Sequence, residues 1–173
     1  MRLRARVSAE GGFGLIELLI SMVMLNVAIL ALVAAFQSGA FALRRAGQLT
    51  TAATVADIQM EKYRALKYES IALDANTLAA VPSTDVYKTD AAYASTQVTT
   101  TCTGSPLPNE CLPTRTLTGP DGKRYRVDTY IVYDSVATSR IFKRVTVVVR
   151  DGNALSARAL ARVASTFDQS TGS

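Results

Sequence analysis

Histidine and tryptophan are absent from the 173 residues of this chain, and cysteine occurs only twice. Without histidine the chain lacks the usual general base of Ser-His-Asp and Cys-His catalysis, and it lacks the commonest metal ligand. Two cysteines without histidine cannot close a usual structural zinc site within one chain. The composition therefore argues against an enzyme, and we expect neither a cofactor nor a metal.

Charge is also scarce, since charged residues make up 19% of the chain and the formal net charge is only +5. Residues 1–12 contribute +2 of this, from Arg2, Arg4, Arg6 and Glu10. No cluster of lysine and arginine alternates with aromatic residues, which would be typical of a nucleic-acid-binding surface. The charge pattern therefore gives no case for a nucleic-acid partner, although a head that binds DNA or a host surface stays compatible with it.

Apolar residues concentrate in residues 13–36, which contain a single charged side chain, Glu17. Proline is absent before Pro82, so nothing kinks a helix in this stretch. Such a helix is about 36 Å long, and a bilayer core is about 30 Å thick. The run exceeds the roughly 7–15 apolar residues of a signal peptide, although small residues at 34–35 keep a cleaved signal sequence open as an alternative. The sequence predicts a transmembrane helix over residues 13–36.

The flanks of this run carry arginines on both sides. The three arginines of residues 1–12 favour a cytoplasmic N-terminus, because basic flanks tend to stay inside. Arg44 and Arg45 follow the run and weaken the asymmetry. We expect the N-terminus inside and the C-terminal head outside the cytoplasmic membrane.

Glu17 is the only charge within the predicted span. An acidic side chain at the centre of a membrane helix costs roughly 2.5–3.5 kcal/mol even on insertion scales. No lysine or arginine between residues 13 and 36 can neutralise it. Glu17 is therefore expected to lie near the membrane interface, to be protonated, or to be paired with a group from elsewhere, for example from another chain.

Residues 12–20, GFGLIELLI, resemble the N-terminal motif of type IV prepilins and type II secretion pseudopilins. This resemblance implies that prepilin peptidase removes the leader, residues 1–12, by cutting after Gly12. It also implies N-methylation of the new N-terminal residue, Phe13, and pairing of Glu17 with the N-terminal amine of a neighbouring subunit. The implied partners are other pilin or pseudopilin subunits, the peptidase and N-methyltransferase, an inner-membrane assembly platform and the lipid bilayer.

The sequence departs from the family pattern in three places. Ala34 stands where major pilins commonly carry a helix-kinking proline, Gly14 stands where threonine is frequent, and residues 9–11 lack the basic residue often adjacent to the cut. The missing proline and the stretch at residues 17–32, ELLISMVMLNVAILAL, are more similar to a minor pilin or minor pseudopilin than to a major subunit. The resemblance implies an α+β ladle-like fold, with one long N-terminal helix packed on a small antiparallel sheet.

Residues 37–68 continue the helical pattern beyond the predicted span. Apolar side chains recur at helical spacing and predict one face that packs on the sheet: Leu49, Ala53, Ala56, Met60 and Tyr63. Glu61 and Arg64 are three residues apart and are expected to form an ion pair on the solvent side. Asn26, within the span, could bond across helices, but a bond to its own backbone is the simpler expectation.

The head, residues 69–173, begins with a polar region that we expect to be a variable loop, residues 69–123, with one short strand or helix at most. Cys102 and Cys111 lie within it, separated by eight turn-rich residues. We expect a disulfide if the head is exported. A redox-active pair is disfavoured because the spacing is not C-x-x-C, and two free thiols would be expected in the cytoplasm.

The rest of the head, residues 124–167, has the period of an antiparallel sheet of three or four strands, one face of which packs on the helix. The predicted strands are Thr114–Thr118, 124–133, 141–149 and 154–167, with turns at residues 119–122 and 151–152. A helix over 154–167 is the alternative. Asp121 and Asp151 are expected to be turn residues rather than calcium ligands.

Four basic residues fall on or near one of these strands: Arg140, Lys143, Arg144 and Arg150. We expect them to form the solvated face of a strand, and a ligand-binding surface is the alternative. The function expected from the whole sequence is that of a structural filament subunit, first in the cytoplasmic membrane and then in a surface or periplasmic filament. The alternative is an exported binding or enzymatic domain for which the helix is a plain anchor.

Overall fold

The computed structural model describes residues 14–136, 140–153 and 158–169. The chain is α+β and has two compact units, Met1–Arg44 and Arg45–Ser173. The first element is helix α1, Leu15–Arg64, whose 50 residues contribute to both units. A long N-terminal helix and an antiparallel sheet are therefore confirmed.

Helix α1 ends four residues before the predicted boundary at residue 68. The chain leaves the helix because Lys67 adopts an extended conformation, and a single 3₁₀ turn follows at Tyr68–Ser70. The predicted ion pair in the last helical turn is present, with Arg64 Nη1 2.5 Å from Glu61 Oε1.

The buried face of α1 is offset from the predicted stripe. Ala56, Met60 and Tyr63 are buried as expected, but Leu49 and Ala53 are exposed. The other buried residues of this face are Ala52, Val55 and Gln59. The prediction was wrong at these positions because spacings of three and four residues fit two adjacent faces of a helix, and only packing selects one of them.

The region between α1 and the sheet is more ordered than the loop we predicted. It contains β1 (Leu73–Asp74), α2 (Ala75–Ala80), α3 (Val86–Thr89) and β2 (Thr99–Thr100), and β1 pairs in parallel with β2. Both helices begin at an aspartate whose carboxylate accepts a backbone N–H, Asp74 from Thr77 and Asp85 from Tyr87. Helices this short are marginal alone, so tertiary contacts decide whether they form.

The main sheet has four antiparallel strands in the order β3-β4-β5-β6. They are β3 (Thr114–Thr118), β4 (Arg124–Val136), β5 (Arg140–Asp151) and β6 (Ala161–Phe167). The turn between β3 and β4 is closed by Gly119, whose N–H donates to Lys123 O at 2.8 Å, and Gly122 adopts a φ of 74° that favours glycine. The four-stranded sheet and this turn are confirmed.

The connection from β5 to β6 is longer than the tight turn predicted at residues 151–152. Gly152 N donates to Arg124 O at 2.8 Å, which continues the pairing with β4 instead of reversing the chain into β6. Strand β6 begins only at Ala161, and residues 154–157 of the predicted strand lie outside the described residues. Residues 161–167 form a strand, so the alternative of a helix is wrong there.

Both faces of the sheet are covered at its two central strands, over residues 125–132 of β4 and 145–150 of β5. On one face Tyr125, Val127 and Ile131 of β4 and alternate valines of β5 pack with the buried face of α1. On the other face Tyr130 and Val148 pack with side chains from the connecting region. We predicted only the first of these layers. The run of buried residues in β5 is explained because a strand covered on both sides tends to be apolar throughout.

Candidate functional site

The part of α1 in the first unit exposes a continuous apolar surface. Large hydrophobic side chains on it are roughly half to four-fifths exposed, from Leu15 at 84% to Ile29 at 49% and Leu43 at 76%. α1 is the one helix of the described ranges that is long and apolar enough to cross a bilayer, and no residue of its most apolar window is buried. A surface of this kind is unsuited to water and needs a lipid or protein environment.

Glu17 lies in the first turn of α1 and is exposed. Its backbone N–H donates to Gly14 O at 3.0 Å, so the residue belongs to the helix from its beginning. Between residues 14 and 136, 140 and 153, and 158 and 169, no cation forms an ion pair with its carboxylate. The predicted cleavage and methylation residues, Gly12 and Phe13, lie outside the described residues.

The two other polar side chains of the apolar stretch bond within the helix. Ser21 Oγ donates to Glu17 O at 2.8 Å, and Asn26 Nδ2 donates to Met22 O at 2.9 Å. Both contacts run to the carbonyl four residues earlier, so these donors need no partner helix. The simpler of the two expectations for Asn26 is confirmed.

The second unit contains the disulfide between Cys102 and Cys111, as predicted. The disulfide loop, residues 102–111, is held to the rest of the unit through Asp74. Asp74 N donates to Cys111 O at 2.8 Å, and Asp74 Oδ1 accepts from Cys102 N at 3.1 Å. The backbone N–H groups of Thr77 and Cys102 lower the pKa of Asp74. One carboxylate therefore caps α2 and fastens the loop.

Helix α1 holds the other side of this loop. Tyr63 OH donates to Glu110 O at 2.6 Å, and Gln59 Nε2 lies 3.4 Å from Asn109 O. Burial raises the pKa of Tyr63 to about 12, so the hydroxyl stays protonated and can donate at physiological pH. The sequence indicated the disulfide, but these contacts could not be predicted because their partners are 47 and 50 residues apart.

A row of alternating charges lies on the sheet face that is turned away from α1. We call it the ion chain, and its members in order are Asp85, Arg126, Asp128, Arg150, Asp90 and Arg162. At its centre Asp128, which is fully buried, accepts from Arg126 Nε at 2.8 Å and from Arg150 Nε at 3.0 Å. The ion chain holds α3 and its flanks against the sheet.

The outer carboxylates of the ion chain have lowered pKa values. The Arg126 guanidinium, which donates to Asp85, is the main cause of the lowered pKa of that carboxyl. Burial acts to raise the pKa of Asp90, but the Ala92 N–H and the Arg162 guanidinium outweigh it and the pKa is lowered. Both groups are therefore ionised in the folded protein well below neutral pH.

Three tyrosines complete this layer. The rings of Tyr87 and Tyr130 stack with centroids 4.4 Å apart, and Tyr93 contacts Tyr87 edge-on at 5.8 Å. Tyr87 OH donates to Thr129 O at 2.8 Å. Tyr130 OH donates to Tyr87 O at 3.1 Å, and burial raises the pKa values of both tyrosines.

The basic residues expected to share a solvated face are separated by the structure. Lys143 is buried and donates from Nζ to Tyr68 O at 2.7 Å and to Ile71 O at 2.8 Å. Arg150 is buried in the ion chain, and Arg144 is paired with Asp134 at 3.0 Å. The expectation was wrong for Lys143 and Arg150, because side chains alternate along a strand and other elements cover β5 at both positions, whereas Arg144 is exposed as expected. The side chain of Arg140 lies outside the described residues.

An open cavity of about 330 Å³ lies between the connecting region and the start of β3. Val81, Pro82, Leu112 and Pro113 contribute to its walls, and its charged groups are Asp85 and Arg126. These two charges are paired with each other, so neither is left unpaired in the cavity.

Within the described ranges no three His, Cys, Asp or Glu side chains are close enough to hold a metal ion. Asp121 is a turn residue as predicted and accepts from Lys123 N at 3.2 Å. Asp151 is the last residue of β5 and accepts from Asn153 N at 2.9 Å.

Three kinds of comparison with known proteins find no match. No protein-family model fits the chain, no curated protein is similar to it, and no solved structure resembles it. The class that fold and site define is therefore an α+β protein with one exposed apolar N-terminal helix and a disulfide-bonded second unit.

Proposed function

We propose that this chain is the precursor of a pilin-like structural subunit, a minor pilin or pseudopilin of a type IV pilus-like or type II secretion filament. The observation that carries the proposal is the exposed apolar surface of α1, with the single carboxylate of Glu17 in its first turn and no counter-charge among the described residues. This surface directly follows the Gly12-Phe13 dipeptide of the motif described above.

The proposed assembly chemistry depends on cleavage. Prepilin peptidase hydrolyses the peptide bond after Gly12 on the cytoplasmic side, and the new N-terminus at Phe13 is an ammonium that the precursor lacks. In the filament this ammonium pairs with Glu17 of a neighbouring subunit. Burying either charge alone is costly, whereas a pair offsets part of both desolvation costs. Subunits would therefore assemble only after processing.

The second unit would form the exported head of the subunit. The disulfide supports an oxidising location outside the cytoplasm. The ion chain and the disulfide loop hold its connecting region in place, so the head would present a defined surface. In this proposal the chain performs no chemistry, and an inner-membrane platform supplied by other proteins drives assembly.

The deciding experiment is mass spectrometry of the N-terminal peptide of the protein from its native membranes. We expect a peptide that begins at Phe13 and is heavier by one methyl group. A peptide beginning at Met1 would indicate a plain anchor, and one beginning beyond residue 34 would indicate a secreted protein with a cleaved signal sequence. Either result would overturn the proposal.

A further inference from the structure

The spacing of charges along α1 matches a whole bilayer rather than its apolar core alone. Glu17 and Arg44 bound a stretch of 26 residues without Asp, Glu, Lys or Arg. Because α1 is one uninterrupted helix, 27 residue steps separate these two charges by about 40 Å. The hydrocarbon core and both headgroup layers together measure about 40–45 Å.

Polarity changes within this stretch at the place where the hydrocarbon should end. Residues 18–36 are apolar except for Ser21 and Asn26, which bond within the helix. They span about 28 Å, close to the thickness of the hydrocarbon core. The next three residues are Gln37, Ser38 and Gly39, and apolar side chains resume with Phe41 and Leu43, which are 68% and 76% exposed.

Arg44 and its sequence neighbour Arg45 end the uncharged stretch, and both are exposed. No carboxylate of the described ranges forms an ion pair with either guanidinium. A guanidinium forms paired hydrogen bonds with phosphate, and its long side chain can reach toward the interface while its stem stays among apolar groups. The positive charge of Arg44 and Arg45, their position at the end of the uncharged stretch and their continuity with the apolar surface all favour the phosphate of a lipid headgroup as their partner.

We infer that the outer edge of the hydrocarbon lies at residues 36–37, that residues 37–43 lie within the outer headgroup layer, and that Arg44 and Arg45 bind the phosphates of lipid headgroups. This inference rests on the membrane insertion proposed above, but not on cleavage or filament assembly. It places Glu17 at the inner headgroup layer, where water can reach its carboxylate until a neighbouring subunit covers it.

The depth of α1 can be measured directly because the chain has no tryptophan. A single tryptophan is introduced as Phe41→Trp or as Leu30→Trp in the full chain, which is reconstituted in phosphatidylcholine vesicles containing lipids brominated at different depths. We expect bromines close to the headgroup to quench the Phe41→Trp variant most, and bromines near the chain ends to quench the Leu30→Trp variant most. Equal quenching profiles for the two variants would overturn the inference.

The phosphate contact needs a second readout. Solid-state NMR with labelled arginine should show dephasing of guanidinium carbons by lipid phosphorus, and this signal should fall in the R44Q/R45Q variant. The three arginines of residues 1–12 account for any signal that remains. The matched control is Arg64→Gln, which removes an arginine of α1 that is paired with Glu61 and should leave the signal intact. Inorganic phosphate added to the medium should not compete if lipid headgroups are the partner.

The outcomes separate this inference from the proposed function. If the R44Q/R45Q variant keeps the full dephasing signal, or if free phosphate removes it, the lipid contact is wrong. A shallow Phe41→Trp in vesicles, together with an N-terminus at Met1 in the protein from native membranes, would support the inference and overturn only the pilin proposal. Should the R44Q/R45Q variant fail to insert, the quenching profile of the Phe41→Trp protein still decides the position of the helix.

Discussion

Two carboxylates of this chain show how surroundings set the role of a residue. Glu17 is exposed on an apolar helix and has no ion-pair partner in the part of the chain that the structure describes. Asp128 is fully buried and accepts from two guanidinium groups. The first is expected to act between subunits, and the second acts within one.

Replacing Glu17 by Gln should impair assembly while sparing membrane insertion and cleavage. Loss of one partner of a buried charge pair costs about 2–5 kcal/mol, which corresponds to at least about a thirtyfold loss of incorporation. The fraction of subunit in sheared filaments, relative to that in membranes, measures the effect. Asp57→Asn, at an exposed position of the same helix, serves as the control. Normal incorporation of the Glu17→Gln subunit would contradict the assigned role.

Replacing Asp128 by Asn should destabilise the second unit by about 3–5 kcal/mol, because Arg126 and Arg150 would remain buried with too little negative charge. Urea unfolding of the full chain in detergent, followed by near-ultraviolet circular dichroism, measures the change. Glu61→Gln breaks an exposed ion pair and should cost about 1 kcal/mol at most. Equal effects of the two substitutions would show that the ion chain contributes little.

At the scale of elements, the disulfide loop illustrates a local constraint supported by distant contacts. Its ends are fastened by Asp74 and its interior by Gln59 and Tyr63 of α1. The loop therefore links α1 to the start of the sheet, and its closure should matter for the second unit as a whole.

The double substitution C102S/C111S should lower the free energy of unfolding by roughly 2–3 kcal/mol, the value expected for closing so short a loop. Thermal unfolding with and without reductant measures it. Reductant should destabilise the unsubstituted protein by a similar amount and leave the double variant unchanged. If reductant also destabilises the double variant, the loss does not come from this bond.

Helix α1 shows how one element can carry two kinds of sequence signal. Its first part was predicted from composition, because a long uncharged run has few alternative structures. Its second part was predicted as a helix, but the buried face was assigned partly to the wrong residues. The choice between Ala53 and Ala52 depends on the position of the sheet, which no local pattern records.

At the scale of the whole molecule, ionisable groups lower the stability of the fold at both acid and alkaline pH. Asp74, Asp85 and Asp90 have lowered pKa values in the folded state, so their contribution is present above the unfolded pKa of about 3.9 and is lost as pH falls through the folded values. Tyr63 and Tyr125 have pKa values raised to about 12, so their contribution is present below the unfolded value of about 10 and is lost above it.

We therefore expect the urea midpoint of the full chain to be constant between about pH 5 and pH 9 and to fall on both sides. Lys143 has the opposite effect on the free energy of unfolding at alkaline pH, because burial lowers its pKa. It is a single group, so the effect of several tyrosines outweighs it. A series of urea titrations from acid to alkaline pH tests this profile. A midpoint that rises steadily on acidification would contradict the role given to the buried carboxylates.

The sequence by itself determined the apolar helix, the single carboxylate at its start, the disulfide and the four strands, because each depends on residues close together in the chain. Only the tertiary structure decided that the sheet is covered on both faces and that three arginines and three aspartates form one ion chain. The physical reason is the separation of the paired residues along the sequence. Arg126 meets Asp85 across 41 positions and Arg150 meets Asp90 across 60, and pairing at such distances follows from the packing of whole elements.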